Sequence, residues 1–140
     1  MDNNDLKKAL LQAFSEEAPE LLQKAQMALL DLESAIPGQC GTHLNALKRA
    51  LHSMKGSASA IGRSDIRDVS HAMENLFVDG GEPAINAGLL DKLYAGLSFI
   101  AEGIKAPAML ADSSDLLAFL AGTDNLAMSQ QQVPAPAPTP

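Results

Sequence analysis

Apolar residues recur every three or four positions along most of this chain, and clusters of Gly, Pro, Asp and Ser interrupt the rhythm. Leu6, Leu10, Phe14, Leu21, Leu22, Ala25, Leu29 and Leu32 predict a first helix over about 5–34. Pro19 falls inside it. A proline removes one backbone hydrogen bond and its ring crowds the preceding turn. The expectation is therefore a kink, or a break with Ser15 capping a second piece and Glu16 and Glu17 in its first turn.

Pro37-Gly38-Gln39-Cys40-Gly41 reads as a turn, after which Thr42 can cap a helix over about 43–61 that Gly62 ends. Ser64 can cap a third helix reaching about 78, closed by Asp79-Gly80-Gly81. Pro83 suits the first turn of a fourth, whose apolar face is Ile85, Leu89, Leu93, Leu97, Ile100 and Ile104. After a loop over about 106–112, Ser113 or Ser114 can cap a short fifth helix through Ala121, stopped by Gly122. No strand pattern, Gly-rich phosphate loop or repeat competes with this reading. The expected fold is all-α: an up-down antiparallel four-helix bundle with an additional short fifth helix.

The rhythm fails beyond the fifth helix. Ser129-Gln130-Gln131-Gln132 is polar, and Val133 to Pro140 alternates proline with small residues, the composition of an extended, semi-rigid spacer. We divide the chain into a helical domain, 1–122, and a Gln/Pro/Ala-rich linker, 123–140, and expect further domains after it.

Composition narrows the chemistry. Apolar residues are 46% of the chain but aromatics only 4%, so the core is Leu, Ala, Ile and Met, which suits helices better than strands. A net charge of −7 argues against binding nucleic acid or anionic lipid through nonspecific charge. Cys40 has no second cysteine to pair with, which fits a reducing compartment. The acidic, polar opening is unlike a secretory signal, and the apolar runs are too short to span a membrane. The expected location is the cytoplasm.

The second helix carries the candidate site. Leu44, Leu47, Leu51, Met54, Ala58 and Ile61 form its buried stripe, and His52 lies about 100° round from Leu51, at the stripe's edge. Lys55, Gly56 and Ser59 stack on the His52 face. A glycine inside a helix costs about 1 kcal/mol relative to alanine. Gly56 either lets another molecule approach the imidazole or lets a neighbouring helix pack closely. The third helix presents Ile66, Val69, Met73, Leu76 and Phe77 to the core, with His71 and Glu74 on an adjacent face and Arg67 one turn earlier. Packed beside the second helix, Glu74 can reach His52. A carboxylate that accepts from one ring nitrogen fixes the tautomer and leaves the other with a free lone pair, which is a nucleophile.

The run His52-Ser53-Met54-Lys55-Gly56-Ser57-Ala58-Ser59-Ala60-Ile61-Gly62, followed by His71-Ala72-Met73-Glu74-Asn75-Leu76, resembles the histidine phosphotransfer (HPt) motif, and most closely that of the N-terminal P1 domain of CheA-type chemotaxis histidine kinases. Phe14-Ser15-Glu16-Glu17-Ala18-Pro19-Glu20-Leu21-Leu22 is similar to the first helix of those domains, although Pro19 departs from their usual run. The resemblance implies that His52 is the phospho-acceptor and that Glu74 orients its imidazole. It further implies that Lys55 supports the phosphoryl group, that His71 is a hydrogen-bonding neighbour, and that Gly56 clears the approach. It also implies two partners: the ATP-binding domain of the same or a dimer-mate kinase chain, and response-regulator receiver domains. ATP and Mg²⁺ would sit in that kinase domain, with no cofactor in this chain. These residues hold no ATP-binding motif, so the chain by itself is not expected to phosphorylate itself.

Two other readings compete. A metal-binding bundle could draw on three histidines and seventeen acidic residues, but a di-iron bundle needs paired Glu-x-x-His motifs, and this chain has one His-x-x-Glu, in the reverse order. A helical docking module without chemistry would leave the shared face of His52, Lys55 and Gly56 unexplained. His43 reads as a surface residue, Ser57 and Ser59 as helix surface or interhelical contacts, and the methionines at helical spacing as core.

Overall fold

The apolar stripes bring four helices around one interior. The computed structural model describes residues 3–35, 40–77, 86–106 and 110–122. Its elements are α1 (Asn3–Ser34), α2 (Gly41–Ala60), α3 (Ser64–Glu74), a 3₁₀ turn (Asn75–Phe77), α4 (Ala87–Lys105) and α5 (Ser114–Ala121). α1 packs on α2 and α4, α2 on α3, and α3 on α4, closing the ring, while α5 lies against α3 and α4. This is the expected up-down bundle with its short fifth helix. The core is built from Phe14, Ala18, Leu29 and Leu32 of α1, Leu47, Leu51 and Met54 of α2, Ile66, Val69 and Met73 of α3, Leu93 and Ile100 of α4, and Leu120 of α5. Each larger side chain contributes about 1.5–3 kcal/mol by leaving water, and their stripes fix which face of each helix remains outside.

Several local expectations are corrected. α1 runs without a break through Pro19. Pro19 lies on the exposed face, where the backbone carbonyl it leaves unbonded can meet water, and Ser15 Oγ donates to the Leu11 carbonyl at 2.8 Å instead of capping a second helix. Leu6 is 50% exposed, so burial along α1 starts later than its apolar pattern. Thr42 does not cap α2, which begins at Gly41 with buried Cys40 in the cap position. Ser64 is the first residue of α3 rather than its cap. Neither Ser113 nor Ser114 caps α5 through its hydroxyl; instead Asp112 Oδ1 accepts the Ser114 N–H at 3.0 Å. α4 begins at Ala87, where Asn86 Oδ1 accepts the Leu89 N–H at 2.9 Å and satisfies a first-turn donor that a proline cannot. Pro83, Ile85, the Asp79-Gly80-Gly81 turn, Pro37-Gly38-Gln39 and the 123–140 linker lie outside the described residues. The glycine stops hold: Gly62 (φ +76°) and Gly122 (φ +83°) follow α2 and α5 in left-handed conformations that cost other residues strain.

The turn between α2 and α3 is secured by a buried ion pair absent from the sequence expectations. Arg63 Nε and Nη2 donate to Asp65 Oδ1 and Oδ2 at 3.0 and 2.9 Å, both residues being at most 4% exposed. Arg63 Nη1 donates to the Ala106 carbonyl at 2.9 Å, and Asp65 Oδ2 accepts the Ala111 N–H at 3.0 Å. One bidentate pair thus ties the turn that follows α2 to the segment between α4 and α5. Burial works against the Asp65 charge, but the hydrogen bonds from Arg63, Ala111 and Ile66, with the guanidinium's charge, hold its carboxyl below the usual carboxylate range.

Candidate functional site

Leu51 and Met54, 1% and 2% exposed, anchor α2 in the core. The helical repeat then turns His52 outward, and its side chain is 73% exposed. Met73 anchors the end of α3 in the same way, at 0% exposure, and turns Glu74 towards α2. His52 Nδ1 lies 3.4 Å from Glu74 Oε2, and Lys55 Nζ lies 2.8 Å from Glu74 Oε1. One carboxylate therefore faces a ring nitrogen with one oxygen and an ammonium with the other. Glu74 and Lys55 are 20% and 27% exposed, so their pair lies partly out of water beneath an open imidazole.

An ionised carboxylate only accepts hydrogen bonds. The nitrogen facing an ionised Glu74 is better placed as the N–H, so this proximity favours the Nδ1–H tautomer. Nε2 keeps its lone pair. The 3.4 Å separation is long for a hydrogen bond, so the contact between ring and carboxylate is a loose one.

The structure thus brings His52, Glu74 and Lys55 together. The expectations placed Lys55 beside the phosphoryl group; its partner here is Glu74, which positions the acid as well. Gly56 is exposed, and a Cβ built there would meet nothing within 4 Å among the described residues. Close packing of a helix at Gly56 is thereby set aside, and the face after His52 is open. His71 departs from its expected role. It is exposed, and among the described residues its side chain makes no hydrogen bond or ion pair, because the turn of α3 that aims Glu74 at α2 leaves His71 outside the contact. Arg67 pairs with its neighbour Asp68 at 2.8 Å. Ser57 donates to Glu17 of α1, as an interhelical contact. His43 is half-buried nine residues before His52, with Nδ1 3.9 Å from Asp31 Oδ2.

Among the described residues no group of three or more His, Cys, Asp or Glu side chains is placed to hold a metal ion, so the metal-binding reading finds no ligand set there. No helix among them is long and apolar enough to cross a membrane.

The Hpt domain family matches residues 9–117, from the second turn of α1 into α5. The chain is 38% identical over 82 residues, 57% of its length, to the chemotaxis protein CheA of Salmonella typhimurium, of which this covers 12%. It is 31% identical over 137 residues, 94% of its length, to CheA of Klebsiella aerogenes, covering 21% of that protein. It therefore spans about a fifth or less of the length of these relatives. Among solved structures it is similar to the phosphorylated P1 domain of CheA3 in complex with CheY6 from R. sphaeroides, with a TM-score of 0.71 and 18% identity over 84% of this chain and 97% of that one. A family match over most of the helical bundle, with CheA proteins among the relatives, establishes that the chain belongs to the Hpt domain family and is a histidine phosphotransfer domain similar to those of CheA.

Proposed function

We propose that His52 is the phospho-acceptor, taking a phosphoryl group from ATP held by a kinase domain and passing it to a receiver aspartate. The observation that carries this is the exposed imidazole with Nδ1 turned to a carboxylate that a lysine holds from the other side. Nε2 attacks the γ-phosphorus in line, the N–P bond forms as the bond to the ADP oxygen breaks, and ADP leaves. The ring becomes an imidazolium, whose charge Glu74 stabilises through Nδ1. In the second step an aspartate oxygen of the receiver attacks the same phosphorus, the N–P bond breaks, and the ring returns to its neutral form. ATP and Mg²⁺ belong to the kinase domain of the same or a dimer-mate chain, and catalysis there rests on positioning and charge stabilisation. This places the reaction in the cytoplasm, with ATP.

Lys55 is bound to Glu74 in the resting state. Once phosphate sits on the ring, its flexible ammonium can divide its charge between carboxylate and phosphate without the rigid fork of an arginine. Gly56 leaves room for the donor or the receiver one turn from the ring. The complex of a similar P1 domain with CheY6 supports a receiver as acceptor.

The test is the His52→Gln variant, incubated with the cognate kinase domain and labelled ATP. The expected outcome is loss of acid-labile, base-stable phosphate with helicity and melting temperature unchanged. Undiminished labelling removes His52 from the mechanism and favours a docking module without chemistry.

A further inference from the structure

Two glycines of α4, Gly96 and Gly103, are buried two turns apart. They face Met73 and Ile66 of α3, also two turns apart and in the opposite order, so α3 and α4 run antiparallel along a seam notched at two points. The notches differ. A Cβ at Gly96 would come within 2.9 Å of Met73 Cγ and 3.0 Å of Cε, and closer still to Sδ. A Cβ at Gly103 would meet Ile66 Cδ1 at 3.1 Å and Arg63 Nη2 at 3.2 Å, a milder conflict at the far end of α3. Met73 is fully buried, so it has little room to move away.

Met73 immediately precedes Glu74. Where buried neighbours keep the Met73 side chain from yielding, the α3 backbone must shift instead, and that shift carries Glu74 with it relative to α2. The Nδ1 to Oε2 separation is 3.4 Å, close to the distance at which a hydrogen bond ceases to count as one. A displacement of α3 by a few tenths of an ångström decides whether Glu74 orients the ring.

We propose that Gly96 is a positioning residue for phosphoryl uptake: the side chain it lacks seats Met73 against α4 and so sets the reach of Glu74 to His52. This rests on His52 being the acceptor. Gly96 acts only through Glu74 and touches neither the ring nor the phosphate.

The Gly96→Ala chain is compared with Gly103→Ala, which overfills the same seam away from Glu74. In Gly96→Ala, labelling by kinase and ATP slows by roughly fivefold or more. The ¹⁵N signals of the His52 ring move away from the Nδ1–H tautomer. In a Glu74→Gln background the same substitution brings no further slowing, because effects that act through one group are not additive. Gly103→Ala lowers the melting temperature but leaves the ring signals in place. Adding Met73→Ala to Gly96→Ala removes the three conflicting atoms and restores labelling, even though the added cavity lowers stability further. If Gly96→Ala folds poorly, Met73→Ala alone tests the same seat by emptying it, and it must move the ring signals as well. Unmoved ring signals, additivity with Glu74→Gln, or slowing that tracks melting temperature equally in both glycine variants would overturn the proposal. Failure of the underlying reading is separate and would appear as full labelling of His52→Gln.

Discussion

α3 carries a charged cluster at each end, and the two are built to opposite ends. At its start, Arg63 and Asp65 have side chains 4% and 2% exposed, two parallel hydrogen bonds, and one further bond each, to the Ala106 carbonyl and from the Ala111 N–H. At its finish, Glu74 meets Lys55 at 2.8 Å and a ring nitrogen only at 3.4 Å, with the ring open to water. A charge enclosed in protein keeps its partners, because losing one strands the other in a medium that solvates it poorly. A charge at the edge of water can change partners at little cost. The first cluster is therefore suited to fastening the frame, whereas the second is suited, on the proposed function, to lending its ammonium to an arriving phosphate. The contrast also separates which substitutions should harm folding from which should harm transfer.

The largest effect is expected at the closed cluster. Asp65→Ala leaves Arg63 buried with one hydrogen-bond partner, and should cost roughly 3–5 kcal/mol in urea denaturation; a loss under about 1 kcal/mol would mean the pair is not enclosed. The same carboxyl gives a pH signature. Its value in the fold is lowered, so the stability it contributes is present above the unfolded carboxylate value of about 3.9. That contribution is lost as pH falls through the lower folded value. Between those two values wild type should lose stability more steeply than Asp65→Asn, and parallel curves would contradict the lowered value. Labelling of His52, corrected for the folded fraction, should be unchanged in both variants.

The open cluster should give the reverse pattern. Glu74→Gln should slow labelling roughly ten- to a hundredfold, since an amide can turn its NH₂ to the ring and no longer selects the Nδ1–H tautomer. Stability should fall by less than about 1 kcal/mol, as for an ion pair near the surface. An unchanged rate would make Glu74 a bystander. Lys55→Met should be smaller on both counts, a few-fold in labelling, and its effect should shrink as salt is raised if charge is what it supplies. Salt-independent slowing would point to its aliphatic stem instead.

How much of this was legible in the sequence follows the same division. The stripes along α1, α2 and α4 are long and regular, so helix number and order could be read from spacing alone. The candidate site was legible because His52, Lys55 and Gly56 share one helix, where spacing fixes direction, and only Glu74 had to arrive from elsewhere. The caps were misread at Thr42, Ser64 and Ser113 because a residue able to cap announces itself whether or not the chain uses it. At α5 Ser113 does hold the cap position, but its hydroxyl is unused, and Asp112 accepts the Ser114 N–H. Of the kink or break that Pro19 offered, α1 shows no break, and the proline sits on the solvent side. The Arg63–Asp65 clasp and the Gly96 notch were invisible for another reason. Their partners lie over forty and over twenty residues away, and no local pattern encodes the meeting. Arg63 and Asp65 directly after Gly62, and two glycines seven apart inside a helix, were the signals available.

The smallest expected effect tests why Gly56 is a glycine. With nothing among the described residues within 4 Å of a Cβ there, Gly56→Ala creates no conflict with them and should stabilise α2 by up to about 1 kcal/mol, the helix preference of alanine. The melting temperature should rise by about 4 °C. The methyl group, however, stands one turn from His52 on the face a partner must approach. In-line transfer needs phosphorus and Nε2 about 3–3.5 Å apart. A protein surface that must come this close meets the methyl; a small donor such as acetyl phosphate does not. Labelling by the kinase domain should therefore fall a few-fold while labelling by acetyl phosphate stays level. A lower melting temperature would mean that Gly56 is packed after all. Equal rates with both donors would show that the glycine clears no path, and that the open face beside the ring owes nothing to the approach of a partner.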